Sequence, residues 1–441
     1  MFQLPVRNFP LSRSMREMKI LLICKHPTTG GAAIASTRLM KALQSRGVDV
    51  KMLVQEDGAE EEGIYSTTKG WVKKKMNLLR FIFERLVFLR HERSKSIRFL
   101  FSLANTGESI VRNRLVEEAD IIHLHWINFG FLSLKSLKEL LNLGKPIVWT
   151  FHDMWPFTGG CHYSLDCMGY TRECGHCPYL KKPGKRDLSH RIWKKKEKLF
   201  RNKRVAVITP SAWLGDCVRE SSLLHHWQCT TIHNPMDHEL FKPVDRKAAC
   251  RNLGLDPSKK YILFGAATVK NMLKGFPWFL EAIGILAEKY EHADELEILL
   301  FGKSEGDAAQ SFPLPVREFA FVKSERTMID MYSVSHLFVI PSLQDNLPNT
   351  VLESMLCGTP VVGFRTGGIP ELIIHRENGY LADYKSSADL AEGIAWGLKA
   401  ESYEKLSAKT RKTAVERFSP EDSVQKHLEL YGNMINQVSA I

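Results

Sequence analysis

The chain has 441 residues, 44% of them hydrophobic and 25% charged, and a formal net charge of +12. That length exceeds one hydrophobic core and suits two domains of roughly 200 residues each, and the composition is that of a globular protein. No apolar run reaches the ~18 residues that a membrane-spanning helix needs. Nine cysteines and no signal-peptide core point to a reducing, cytoplasmic setting and not to a disulfide framework.

Residues 1–17 are basic but unpatterned and are expected to be a disordered extension ahead of the first strand. An apolar run at 19–24 reads as a strand, followed by a turn and a helix at 32–46. The turn carries Gly30-Gly31, where missing side chains let a phosphate or sugar approach the backbone, although a purely structural turn serves equally well. No G-x-G-x-x-G follows this strand, which argues against a dinucleotide oxidoreductase. Strands at 48–54, 121–124, 146–150, 205–209 and 230–232 complete a first α/β domain, 18–235, with the turn-rich 233–237 as linker. His152 lies just past one of these strand ends, where an imidazole can donate to a phosphate or a hydroxyl. His123 and His125 straddle another strand end and read as structural.

Charge is uneven. The window 69–98 holds ten Lys/Arg and two acids, and 181–204 holds twelve and two, so the rest of the chain is net negative. The first window interleaves its cations with Trp71, Leu78, Leu79, Phe81, Phe83 and Phe88. That suits an amphipathic helix on an anionic membrane surface, or equally a core-packed helix with a solvated basic face. No nucleic-acid motif accompanies the charge.

Within the first domain an insertion, 159–180, carries Cys161, Cys167, Cys174 and Cys177 in C-x5-C-x6-C-x2-C spacing. Four thiolates so close, including a C-x2-C pair, suit a closed, structural tetrahedral zinc site; free thiols or a redox pair are the alternatives.

The second domain, 236–420, restarts with strands at 261–264 and 297–301 and a helix from 276. Lys274 sits just before that helix, an unfavourable place for a cation unless an anion binds there. The apolar run 337–340 then breaks at Pro341 into a polar turn with Asp345, and a helix begins near Asn349, a good N-cap residue, with Glu353 in its first turn. Backbone N–H groups at such a start attract phosphate oxygens, and a carboxylate accepts from paired hydroxyls of a ribose or hexose. A second short strand, 360–363, leads to Gly367-Gly368 and Glu371. Two strand–turn–helix units in succession form a ligand crevice in open α/β sheets. A last helix is expected at 421–436.

Asp345, seven residues, Glu353, then Gly358 to Val362, Gly367, Gly368, Glu371, Asn378 and Gly379 together resemble the signature of the retaining glycosyltransferases of family 4. The resemblance implies the GT-B fold: two facing Rossmann-like domains, a cleft between them, and a C-terminal helix, 421–441, returning to the first. It implies a UDP- or GDP-sugar donor held by the second domain, a glycan or polyprenyl-diphosphate-linked acceptor, and no cofactor for catalysis. By the same resemblance Glu353 is expected on the ribose and Asp345 on the donor sugar. Lys274 and the backbone of Asn346, Leu347, Asn349 and Thr350 would take the diphosphate, and His152 and the Gly30-Gly31 loop would line the cleft. Two departures stand out. The first acid is Asp345 where the family usually has Glu, and no arginine follows Gly265, leaving Lys270 as a substitute. The zinc would be a subgroup feature, and the setting would be the inner face of a bacterial membrane during surface polysaccharide synthesis. A sugar-nucleotide epimerase of the same fold and a zinc-containing nucleic-acid-binding protein are the other classes in view.

Overall fold

A computed structural model describes residues 17–56, 62–268, 271–303, 309–320, 322, 324–399 and 403–439. The expected extension, up to residue 16, and Lys270 lie outside the described residues.

The strands form two wholly parallel sheets. The first has seven strands in the order β3-β2-β1-β4-β5-β6-β7: β1 Lys19–Cys24, β2 Asp49–Val54, β3 Ile64–Ser66, β4 Ile121–Leu124, β5 Ile147–Thr150, β6 Ala206–Thr209 and β7 Cys229–Thr231. The second has six in the order β10-β9-β8-β11-β12-β13: β8 Lys260–Thr268, β9 Leu296–Lys303, β10 Val316–Phe319, β11 Ser335–Ile340, β12 Val361–Phe364 and β13 Gly379–Ala382. Parallel strands covered by helices on both faces need apolar residues on both faces, so the central strands are continuous Val/Ile/Leu runs with no alternation. β1, KILLIC, buries every residue after Lys19, and β12, VVGF, buries all four.

Strand order reverses between β1 and β4 in the first sheet and between β8 and β11 in the second. Ligand crevices of such sheets open at the carboxyl ends of the strands at this switch point. The chain changes sheets abruptly: Ile232 belongs to the first core and Met236 to the second. The last helix, Pro420–Ser439, returns to the first sheet, where Val424, Leu428, Leu430 and Tyr431 join the core around β1 and β2.

Strand ends expected at 146, 205 and 230 shift by one residue, and β8 runs four residues past the expected 264. Helix Gly70–Leu89 lies within the basic window but is not packed by an apolar face, for only Glu84, Arg85 and Phe88 are buried. Polar anchors hold it instead. Glu84 Oε1 accepts from Ser102 Oγ at 2.7 Å and Leu103 N at 2.8 Å, while Arg85 donates to the Phe101 carbonyl at 2.9 Å. Its large apolar side chains face outward, with Trp71 68%, Leu79 63% and Phe83 56% exposed.

Candidate active site

The turn after β11 is built by close backbone approach. Gly275 has φ +69°, and a Cβ there would stand 1.8 Å from the Pro341 carbonyl oxygen. A Cβ on Gly367, φ +57°, would meet the Asp345 carbonyl at 2.0 Å, and one on Gly368 the Asn346 carbonyl at 1.7 Å. Gly275 lets the loop after β8 close on Pro341, and Gly367 and Gly368 let the loop after β12 close on Asp345 and Asn346. There Asp345, buried, accepts from Lys274 Nζ at 2.5 Å and from Ser342 Oγ at 3.2 Å. Lys274 ends a short 3-10 turn, Met272–Lys274, that precedes helix Phe276–Lys289.

Helix Asn349–Leu356 starts without a side-chain cap, because Pro348 occupies the N-cap position. Asn349 is therefore not the cap that its residue type suggested; Pro348 displaces it into the first turn. Its side chain bridges outward instead, with Nδ2 donating to the Gly31 carbonyl at 3.2 Å and Oδ1 accepting from Asn234 Nδ2 at 3.3 Å. The first turn thus takes no side-chain cap, and the positive end of its dipole is left open four residues beyond Asp345. Thr350 is next in the same turn. Leu347 is buried in the second core, so its side chain points away from any ligand and only its backbone is at hand.

The two halves meet through named pairs. Ser211 Oγ donates to Asn346 Oδ1 at 2.5 Å, and Asn346 Nδ2 donates to the His152 carbonyl at 3.3 Å. Glu371 accepts from the backbone of Ala212 and Trp213, 2.9 Å each, at the start of helix Ala212–Glu220. Glu353, buried, accepts from the Tyr332 hydroxyl at 3.0 Å and pairs with Arg38 Nη1 at 2.9 Å across the cleft. Burial and the adjacent carboxylate hold the Tyr332 phenol well above its ordinary pKa, so it stays a donor. Gly30, φ +95°, precedes helix Gly31–Gln44, and nothing lies within 4 Å of a Cβ built on it.

Four histidines, His152, His125, His123 and His427, run inward from the end of β5 in successive ring contacts. His152 Nε2 meets His125 Nδ1 at 3.0 Å, and His123 bonds the Tyr431 hydroxyl and Thr150 Oγ1, 2.7 Å each. Burial depresses all of them: His152 and His427 to about 4, His123 and His125 well below the ordinary value. His125 Nε2 is buried with no partner. An orphan acceptor costs less than an orphan N–H, so His125 donates through Nδ1 and His152 keeps its own proton on Nδ1. A neutral His152 can then donate to a ligand. His123 joins the returning helix to the end of β4, while His125 holds the His152 ring.

All four cysteines of the insertion line one small cavity, together with Phe101, Thr158, Gly159 and Tyr170. Burial raises the thiol of Cys174 to about 11 and that of Cys177 to about 12, and burial with the neighbouring thiols raises Cys161 further. Among the described residues, no three His, Cys, Asp or Glu side chains are close enough together to hold a metal ion as they stand. All nine cysteines are free thiols.

Arg38, Tyr332, Ser211 and Asn234 were not legible as site residues. Arg38 lies inside a helix whose pattern is ordinary, and only tertiary folding brings it to Glu353.

The fold is a pair of parallel α/β sheets joined at a cleft, and comparison with known proteins gives the family. Residues 259–399 match Glycosyl transferases group 1, and residues 29–240 match Glycosyltransferase Family 4. The chain belongs to these glycosyltransferases. WcaC of Escherichia coli, a glycosyl transferase named for colanic acid biosynthesis, is 25% identical over 57% of this chain and 62% of its own length. The D-inositol 3-phosphate glycosyltransferase of Pseudarthrobacter chlorophenolicus is 25% identical over 83% of this chain and 81% of its own length. Among solved structures, the sucrose-phosphate synthase of Thermosynechococcus elongatus has the same fold, with a TM-score of 0.66 at 17% identity, covering 96% of this chain and all of that one. Anabaena Alr3699/HepE, solved in complex with UDP-glucose, has a TM-score of 0.63 at 16% identity, covering 95% of this chain and 100% of its own. The fold is therefore GT-B, as the signature implied, and the protein is an enzyme.

Proposed function

We propose that the cleft transfers a sugar, with retention at the anomeric carbon, from a UDP- or GDP-sugar to a glycan or polyprenyl-diphosphate-linked acceptor. The observation that carries this reading is the pairing of Lys274 with Asp345 at the switch point of the second sheet, four residues ahead of the uncapped start of helix Asn349–Leu356. A diphosphate bound there meets a cation and oriented N–H groups that need no reorganisation as negative charge builds on the leaving group. Asp345, held by Lys274, then faces the transferred sugar, and Glu353 takes the ribose hydroxyls, sharing its carboxylate with Arg38. His152 donates its Nδ1–H to the sugar or phosphate from the opposite wall, and the Gly30-Gly31 loop leaves room for it. The contacts between Ser211 and Asn346 and between Asn349 and Gly31 hold the halves together and shield the donor from water. That relatives are named for colanic acid biosynthesis and for inositol phosphate glycosylation supports a carbohydrate acceptor.

Helix Gly70–Leu89 fits docking on an anionic membrane face, where a lipid-linked acceptor would wait. It presents Trp71, Leu79, Phe83 and Leu86 to solvent next to Lys74 and Lys75. Apolar side chains enter the headgroup boundary while lysines meet the anionic surface. No helix among the described residues is long and apolar enough to cross a membrane. A panel of nucleotide sugars tests the reading: slow hydrolysis of one donor without acceptor, and transfer when extract lipid is added, are expected. A panel that leaves every donor intact contradicts it.

A further inference from the structure

The cysteine insertion is not absorbed by the donor cleft, yet it is tied to it. Glu92 and Phe101 bridge antiparallel to Leu180 and Cys161, fastening both ends of the insertion to the first domain. Its tip crosses to the second: Leu165 N donates to Gln344 Oε1 at 2.8 Å, beside Asp345, and Asp166 meets Lys385 Nζ at 3.3 Å. The same tip sets His162 Nδ1 on Asp153 at 2.8 Å, the residue after His152. A segment with only a three-residue 3-10 turn, Gly169–Thr171, thus holds a precise position without a core of its own.

What could fix it is visible at the four sulfurs. They line one cavity with about 20 Å³ of free space, which is room for a single ion or water. Backbone amides point at sulfur: Gly159 N donates to Cys174 Sγ at 3.2 Å, and Gly169 N to Cys167 Sγ at 3.4 Å. The second of these is a turn in which the amide two residues on caps a sulfur, a device that stabilises thiolate more than thiol. His176, between Cys174 and Cys177, takes φ +49°, so the C-x2-C segment curls with both sulfurs toward the cavity. Lys196 is fully buried nearby, donating to the carbonyls of Trp155 and of Thr158, the latter at 3.0 Å.

We propose that Cys161, Cys167, Cys174 and Cys177 bind one zinc-type divalent cation, and that this ion braces the loop 162–166 against the donor cleft. Four thiols release four protons on binding; the resulting centre carries two negative charges, which the amide donors stabilise. Soft sulfur ligands select zinc over magnesium or calcium, and four of them leave no open position for chemistry, so the ion is structural. Among the described residues the sulfurs stand too far apart to ligate one ion as they are. Binding therefore requires the four side chains, which already line one cavity, to turn inward about χ1. Metal binding here does not depend on sugar transfer, and only the position of the loop relates to it.

Elemental analysis of the full chain, purified without chelator, decides. About one zinc per chain is expected, and titration of the native chain with an organomercurial should release it in step with the four thiols. A cobalt-substituted sample should show thiolate-to-metal charge-transfer absorption. Cys174→Ser and Cys177→Ser should lower zinc at least tenfold; if neither folds, the mercurial titration of the wild-type chain still answers. Chain without zinc whose cluster thiols titrate freely overturns the proposal, as does a disulfide-linked peptide from this segment in protein kept from reductant.

Discussion

Replacing Glu353 by glutamine keeps the side chain's volume and removes its charge, so helix Asn349–Leu356 stays packed while the polar contacts change. In the ligand-free cleft that carboxylate lies between Arg38 Nη1 at 2.9 Å and the Tyr332 hydroxyl at 3.0 Å. With a donor bound, two charge-assisted hydrogen bonds from ribose become neutral ones, a loss of about 2–3 kcal/mol. That is a roughly 30–150-fold rise in Kd. The substitution also leaves Arg38, whose side chain is 14% exposed, with only the longer pair to Glu325 at 3.4 Å, at a separate cost to stability of about 1–3 kcal/mol. The two effects come apart in two measurements: calorimetric titration of UDP and UDP-glucose reads the ribose contact, and thermal unfolding of the free protein reads the ion pair. A lowered melting temperature with wild-type nucleotide affinity would refute the ribose assignment and leave the Arg38 pair standing.

Asp345→Asn should reduce turnover at saturating donor by more than about tenfold while changing donor Kd less than about threefold, as steady-state kinetics would show; equal effects on both would contradict its place on the transferred sugar. Gly368→Ala puts a methyl group where the Asn346 carbonyl stands at 1.7 Å, so the Asp345–Asn346 turn must shift. A cost of about 1–3 kcal/mol in stability follows from such overpacking, and donor affinity should fall with it; an unchanged melting curve would contradict the close approach. Buried neutral histidines set the acid limit. His152 and His427 titrate at about 4 when folded, but near 6.5 when unfolded. The unfolded chain binds more protons between these values, so this stability is complete above about 6.5 and is lost as pH falls toward 4. His427→Gln should flatten the melting temperature against pH across that window. For the membrane reading, the chain should sediment with anionic vesicles at low salt and be released at high salt. Reversing the exposed Lys74 and Lys75 to Glu should abolish sedimentation, while Lys73 is kept so that its ion pair with Glu108 at 3.1 Å still anchors the helix. Binding indifferent to salt would contradict docking by charge.

Much of the fold was legible because parallel strands are written as unbroken apolar runs: β1, β4 and β11 stand within a residue or two of where the sequence places them. Short edge strands such as β3 and β10 carry no such signal, and neither was read. The Asp345 turn was legible for another reason. The stretch from Asp345 to Gly379 carries a family signature, and its Gly367 and Gly368 mark where the next loop comes close to the Asp345 backbone. Arg38, Tyr332 and Ser211 come from distant elements, and nothing in their own segments distinguishes them. Asn349 shows a local rule overridden: its residue type suits an N-cap, but Pro348 takes that position and frees the amide side chain to reach Gly31. The outward apolar face of helix Gly70–Leu89 could not be decided from periodicity, since the pattern is the same whether the face meets a core or a bilayer.

The most direct measurement of the central claim is mass spectrometry with anomeric analysis of products formed from a nucleotide-sugar panel and native lipid or glycan extract. Transfer of one sugar to an acceptor, with the donor's anomeric configuration kept and nucleoside diphosphate released in equal amount, is the predicted result. An isomerised nucleotide sugar with no acceptor product, or a product of inverted configuration, would contradict it.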